Sequence, residues 1–421
     1  MKFSAQLDVN VVAHESQDEV AVLLDLVAPV AAQAEERSPA SLQIVLDRSG
    51  SMSGAPISGA LQALAGLVQR LDSRDNFGLV TFDDNAQVVV PAGPLTDKAA
   101  VLARIASVRP GGSTDLSSGY FRGLQELKRV AGGGGGTLLL ISDGHVNAGV
   151  SDADTLGDIA RNAYGDGLVT STLGYGLDYN ETLLSAVTRG GSGNHHFAQD
   201  PDAAGAAIAS EVTGLLSKSI QAASLLVSCE PSVELLRLYN DLPAAQVGQG
   251  QVMVELGDFY AEEERKILVK FRVPAMAALG LALIAKLQLR YVELPDLLEQ
   301  IVTIPVHVNV VPGDEAAGRL VDPSVHTEVI FQEAQHSKRL ASEALERGDR
   351  ETAKRLIAGA VDSLEKANLS VPADLRAELS TEVTDMLMMR EQVDLSDTSF
   401  TSKLTRASYH EKNRKRGRRS E

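Results

Sequence analysis

A chain of 421 residues exceeds one ordinary domain, so two or three are expected, and a hydrophobic content of 44% gives them ample core. Lys and Arg number 39 against 56 Asp and Glu, a net charge of −17 that argues against nucleic acid as the main partner of the acidic body. One cysteine, Cys229, rules out an intramolecular disulfide and fits a reducing compartment, with a small buried hydrophobe in a strand as its simplest role.

The first residues, Met1-Lys2-Phe3-Ser4-Ala5-Gln6-Leu7-Asp8, carry no apolar core of signal-peptide type. No apolar stretch approaches the roughly 20 residues of a membrane helix. The best candidate, Leu279 to Ile284, is followed at once by Lys286 and Arg290. The expected location is therefore cytoplasmic. Residues 2–13 alternate, with Phe3, Ala5, Leu7, Val9 and Val11 on one face and Lys2, Gln6, Asp8 and Asn10 on the other, which predicts one strand. Residues 19–28 predict a second, and Ala31 to Ala40 is a polar, Ala/Glu-rich link. Both strands need a sheet elsewhere to pair with.

From Ser41 to about Ser217 strand and helix patterns alternate. Strands are predicted near 42–46, 77–82, 86–90, 137–141, 168–173 and 195–197, and helices near 56–71, 97–106, 115–130, 152–163, 180–188 and 202–217. Such alternation gives an α/β fold with a doubly wound, mostly parallel sheet. Phe77–Val90, turning at Asp83-Asp84-Asn85, supplies an antiparallel edge strand. The apolar run Leu42 to Leu46 ends in Asp47-Arg48-Ser49-Gly50-Ser51, with Pro56 opening the helix that follows. One carboxylate and two hydroxyls thus stand at the carboxyl end of a buried strand, where ligand sites of open α/β sheets lie. Gly111-Gly112-Ser113-Thr114-Asp115 opens another helix with a hydroxyl on a glycine turn. Thr137 to Ser142 is a second buried strand that ends in Asp143-Gly144. All-oxygen donors with short side chains suit a hard cation such as Mg²⁺.

These three stretches resemble the von Willebrand factor A (vWA, integrin I-like) domain, whose metal-ion-dependent adhesion site consists of Asp-x-Ser-x-Ser, a distant Thr, and Asp-Gly after a hydrophobic strand. The pattern falls on Asp47, Ser49, Ser51, Thr114 and Asp143 and covers about 175 residues. The resemblance implies a bound Mg²⁺, with Mn²⁺ or Ca²⁺ as other options. Ser49 and Ser51 would bind directly, Thr114 directly or through water, and Asp47 and Asp143 largely through water. It implies no catalytic role but protein binding, the ion accepting an Asp or Glu of a partner. A second reading is a cofactor subunit of an AAA+ ATPase complex, as in chelatase-type and MoxR-associated vWA proteins. A third is a metal-dependent hydrolase, for which His145 is the nearby base; a rim position shaping partner choice suits it better. Arg48 and Met52 point outward and tune the partner or simply pack, and Asp115 adds rim charge or caps its helix.

Beyond Ser219 the pattern becomes strands with turns between them: Leu225–Val227, Val233–Tyr239, Gln251–Leu256, Arg265–Val273, Leu281–Val292 and Ile301–Val310. They predict an antiparallel β-sandwich completed by the two N-terminal strands, with the vWA domain inserted into it. Larger vWA proteins of the Sec23 and inter-α-trypsin-inhibitor heavy chain type resemble this arrangement. After Pro312-Gly313-Asp314, Val325–Arg347 and Arg350–Ala367 form an α-hairpin broken at Gly348-Asp349, and Ala373–Val393 a third helix of a small bundle. The expected divisions are 1–40, 41–217, 218–312, 320–395 and a disordered basic tail, 396–421, ending in Lys412-Asn413-Arg414-Lys415-Arg416-Gly417-Arg418-Arg419.

Two further signals point elsewhere. Gly132 to Gly136 looks like a phosphate loop, but it precedes a strand and lacks the Gly-Lys-Ser/Thr sequence, so a flexible connector is expected. His195-His196 sits on a strand, where neighbours face opposite ways, which predicts one buried and one exposed imidazole rather than a shared ion.

Overall fold

The structure, a computed structural model, describes residues 1–30, 37, 39–132, 134–143, 146–176, 179–371, 373–395 and 398–414. The chain begins with β1 (Lys2–Leu7), β2 (Val11–Ala13) and β3 (Asp18–Val27). It then alternates: β4 (Ser41–Asp47), α1 (Ala55–Arg70), β5 (Asn76–Phe82), β6 (Ala86–Pro94), α2 (Lys98–Ala106), α3 (Leu116–Lys128), β7 (Gly136–Ser142), α4 (Ala153–Gly165), β8 (Leu168–Tyr175), α5 (Glu181–Gly190), β9 (Ser192–Ala198) and α6 (Pro201–Leu216).

β4 and β7 are buried along their whole length, as suits Leu- and Ile-rich strands covered on both faces. They lie at the centre of a six-stranded sheet of order β6-β5-β4-β7-β8-β9, parallel except for the edge strand β6. One face packs Leu42, Ile44 and Leu139 against Leu64 and Val68 of α1 and Ile208 and Val212 of α6. The other packs Val45, Leu138 and Leu140 against Tyr120 and Leu127 of α3 and Leu156 and Leu184 of α4 and α5. Asp97, Asp115, Asp152, Asn180 and Asp200 each cap the helix that follows, the side chain accepting a first-turn backbone N–H. The carboxyl ends of the parallel strands and the starts of α1, α3, α4, α5 and α6 therefore lie on one rim, whereas α2, which follows the antiparallel β6, starts at the other end of the sheet beside Leu71.

The strands that follow are β10 (Lys218–Cys229), β11 (Glu234–Leu238), β12 (Ala244–Gly248), β13 (Gln251–Tyr260), β14 (Glu264–Val273), β15 (Gly280–Glu293) and β16 (Leu298–Val311). They build two further sheets, of order β1-β3-β14-β11 and β12-β13-β10-β15-β16-β2. All pairs are antiparallel except β2 with β16. Val22, Leu24, Val269 and Phe271 of the first sheet share one core with Leu225, Val254, Leu287 and Val308 of the second. Residues on both sides of the α/β unit thus pair with one another: Val22 lies opposite Val269 and Leu24 opposite Ile267.

Residues 2–13 differ from the single strand expected. The strand breaks at Asp8, whose Oδ1 accepts the backbone N–H groups of Val9 (2.7 Å) and Ala21 (2.8 Å). β1 and β2 consequently join different sheets, and Val12 rather than Val11 is buried. The short edge strand β12, exposed over most of its length, gave no apolar signal.

The helical part comprises α7 (Gly313–Ala317), α8 (Pro323–Glu346), α9 (Arg350–Ser370), α10 (Ala373–Leu395) and α11 (Thr398–Arg414). Ala341, Ala344 and Leu345 of α8 meet Ala353, Ile357 and Leu364 of α9, and Leu379, Met386 and Val393 of α10 close the core. Gly348, at φ +78°, reverses the chain between α8 and α9, and Asp349 caps α9. The start of α8 lies against the outer face of the first sheet, with Val325 on Leu23 and Leu268. The tail expected to be disordered from 396 is instead helical over Thr398–Arg414, while 415–421 lie outside the described residues. α11 is buried through polar side chains, including Thr401, Ser402, Lys403, Thr405 and Asn413. A search for apolar periodicity does not detect such a helix.

Candidate functional site

β4 delivers Asp47 to the rim, fully buried, and a single 3₁₀ turn at Gly50–Met52 follows. Asp47 Oδ1 accepts the Ser49 N–H (2.8 Å) and Oδ2 accepts the Ser142 hydroxyl (2.7 Å). Burial pushes the Asp47 carboxyl up; hydrogen bonds from Ser49 and Ser142 oppose this, and the charge of Asp83 adds to it. No salt bridge reaches Asp47 among the described residues.

The Ser49 and Ser51 hydroxyls lie 3.0 Å apart, and Ser51 Oγ donates to Asp143 Oδ1 at 2.8 Å. Asp143 stands just past β7, mostly buried, so the first and third motifs meet. The second motif is clipped to the first through the backbone: Gly50 N donates to Gly112 O (3.1 Å) and Gly111 N to Arg48 O (2.8 Å). Gly112 takes φ +76°, and a Cβ there would come within 2.7 Å of Asp84 Oδ2, so the close approach needs glycine. Thr114 is buried; its N–H donates to Asn147 Oδ1 (2.9 Å) and its carbonyl accepts the Asn147 and Ala148 N–H groups. The structure thus brings the loops bearing Asp47, Ser49, Ser51, Thr114 and Asp143 to one place. Ser51 is the exposed member.

Other singled-out residues fall as follows. Met52 is buried in the core beneath α1, and Arg48 pairs with Asp83 (2.7 Å). Asp115 caps α3 and also accepts the Ser117 hydroxyl. His145 lies outside the described residues. His195 and His196 do point apart, to Thr172 Oγ1 (2.7 Å) and Glu211 Oε2 (3.1 Å), but both are half-buried. Gly135 N donates to Gly132 O, and Gly136 already belongs to β7. Cys229 ends β10 half-buried against the sheet core, and burial raises its thiol pKa.

Ser142 and Asn147 hold the site together but escaped the sequence reading. Ser142 looked like one more residue of a buried strand, and Asn147 follows the motif by four positions in an irregular loop. Among the described residues no three His, Cys, Asp or Glu side chains are grouped to hold a metal ion. The donors gathered here are hydroxyls and two carboxylates, a set that fits a hard divalent cation and disfavours softer metals.

Residues 42–210 match the family model of the von Willebrand factor type A domain. Over these residues the chain is similar to that family. Over its whole length the chain is similar to a solved von Willebrand factor type A protein from Catenulispora acidiphila (TM-score 0.76, 15% identity, covering 99% of this chain and 97% of that one), a likeness of fold. It is 28% identical over 277 residues to the uncharacterized protein sll0103 of Synechocystis, covering 62% of this chain and 64% of that protein. With the uncharacterized protein YfbK of Escherichia coli it shares 28% identity over 187 residues, 44% of this chain and 32% of the other. The chain therefore spans less than two thirds of these relatives. The von Willebrand factor type A domain is in general a protein-interaction module. No helix among the described residues is long and apolar enough to cross a membrane.

Proposed function

We propose that the rim of the α/β unit is a divalent-cation site through which the protein binds a partner, with Asp47, Ser49, Ser51, Thr114 and Asp143 holding the ion. The observation that carries this reading is the fully buried Asp47 carboxylate, which no basic side chain among the described residues neutralises. A buried charge without a counter-charge is costly, and a cation beside the converging hydroxyls removes that cost. Mg²⁺ matches the all-oxygen donors best, with Mn²⁺ or Ca²⁺ next. With few anionic donors the ion keeps its electrophilicity, and an Asp or Glu of the partner completes its coordination. In the divisions that accompany this reading, residues 41–217 form the binding unit, inserted into a β-sandwich of 1–40 and 218–312, with a helical bundle over 320–395.

Isothermal titration of Mg²⁺ into the full chain tests the site. Wild type should bind one ion and Asp47→Ala none, with the thermal midpoint of the metal-free variant equal to or above that of wild type, because the mutation deletes an uncompensated buried charge. Equal binding by both proteins would refute the site, and unfolding of the variant would refute its placement at a rim separable from the core. Capture of a partner that is released by EDTA, with Asp47→Ala as control, extends the test to recognition.

A further inference from the structure

Helix α11 is held in an unusual way. Among the described residues the apolar core of the bundle comes from α8, α9, α10 and Val371 between the last two. Tyr409 apart, the side chains α11 buries most deeply are polar or charged, and they reach all three parts of the molecule. Toward the bundle, Ser402 meets Ser342 (3.0 Å), and Ser408 accepts the Lys338 ammonium (3.0 Å). Toward the sheets, Asn413 Oδ1 accepts the Asp241 N–H (2.6 Å) and its carbonyl accepts from the Asn240 amide (2.7 Å). Toward the α/β unit, Arg406 faces Glu181 (3.6 Å), and Lys403 Nζ donates to the Tyr179 carbonyl (2.9 Å) while lying 3.6 Å above the centre of its ring.

The last contact leads into the candidate site in three steps. The Tyr179 ring sits where a side chain of Gly174 would be: a Cβ there would come within 2.3 Å of the ring. Gly174 lies on β8 directly opposite Ser142 of β7. The Ser142 hydroxyl orients Asp47. Hydrogen bonds exchanged with water each contribute only about 1 kcal/mol net, so a helix docked through them detaches more readily than one docked through apolar area.

We propose that α11 is a detachable clasp whose docking through Lys403 positions Tyr179, and through β8 and Ser142 the Asp47 carboxylate, so that helix docking and cation binding are coupled. The inference rests on the cation reading above. Lys403 is a positioning residue: it acts on the site through Tyr179 and touches no ligand. Coupling of this kind is reciprocal. A docked α11 raises the affinity for the ion, and the bound ion protects α11. A partner that strips α11 from its seat lowers the affinity for the ion.

The test uses the full chain with MgCl₂ as probe. Lys403→Met keeps the aliphatic stem and should weaken Mg²⁺ binding about tenfold, within the usual range of coupling, while Lys403→Arg, which keeps a cation over the ring, should retain most of the affinity. In wild type, saturating Mg²⁺ should slow amide hydrogen exchange over 398–414, and in Asp47→Ala it should not. This second measurement needs no change in α11, so misfolding of a Lys403 variant does not spoil it. Wild-type affinity in Lys403→Met together with Mg²⁺-independent exchange would overturn the coupling and leave the cation site standing. Absence of Mg²⁺ binding by wild type would overturn both.

Discussion

At the scale of single residues the site depends on groups that touch no ligand. Ser142 donates to Asp47 Oδ2 while the Ser49 N–H donates to Oδ1, so both carboxylate oxygens are held from the protein side. Replacing Ser142 by alanine leaves a buried carboxylate oxygen without its donor, a loss of about 1–3 kcal/mol. On the cation reading, Ser142→Ala should also weaken Mg²⁺ binding about 10- to 100-fold, the usual effect of removing a group that orients a ligand. Titration calorimetry and a melting curve on the same sample check both. Unchanged Mg²⁺ affinity beside a lowered melting point would make Ser142 purely structural. The residues legible beforehand were those carried by short motifs at strand ends, where spacing alone places a carboxylate and two hydroxyls on one turn. Ser142 and Asn147 were not legible, because each matters through hydrogen bonding to a residue 95 or 33 positions away. Local pattern does not encode such pairings.

At the scale of elements, apolar periodicity predicted the strands and helices of the α/β unit to within a few residues, since each buries a stripe or a whole strand. The misses share a cause. β1 and β2 look like one alternating strand until Asp8 captures two backbone N–H groups and turns the chain. α11 reads as a polar tail because its partners are polar too. The clearest of these contacts surrounds Lys338 on α8, fully buried and paired with Glu382 of α10, which also accepts from Lys412 (2.8 Å) and Gln335 (2.9 Å). Breaking a buried ion pair from one side strands the other charge, at about 3–5 kcal/mol, whereas replacing both members by apolar side chains of similar volume is close to neutral. Lys338→Met should therefore lower the thermal midpoint sharply, and Lys338→Met with Glu382→Leu should recover much of the loss. A double variant no more stable than the single one would mean that the ionic cluster is needed as a whole.

At the scale of the whole molecule the parts meet through charge. Glu181, in the first turn of α5, is buried against α11 and α8. Burial pushes its carboxyl up to about 7, against the attraction of Arg406 and Lys403 on α11 and with the repulsion of Glu346 on α8. The unfolded chain releases this proton near 4.5. Between those two values the native protein retains a proton that the unfolded chain has lost, so this group's contribution is full below about 4.5 and declines as pH rises through 7. At about 1.4 kcal/mol per pH unit, the decline amounts to about 3 kcal/mol. Glu181→Gln keeps the shape and removes the titration. Plotted against pH from 5 to 8, the melting point of wild type should fall relative to that of the variant, most steeply between 5 and 7. Parallel curves would show that Glu181 is ionised throughout, drawn down by Arg406 and Lys403, and that the junction of α5 and α11 is a conventional salt bridge. A falling difference would mean that the junction loosens as Glu181 ionises. The same junction holds α11 in place, so a pH-sensitive Glu181 also predicts faster amide exchange over 398–414 at pH 8 than Glu181→Gln shows there, once intrinsic exchange rates are divided out.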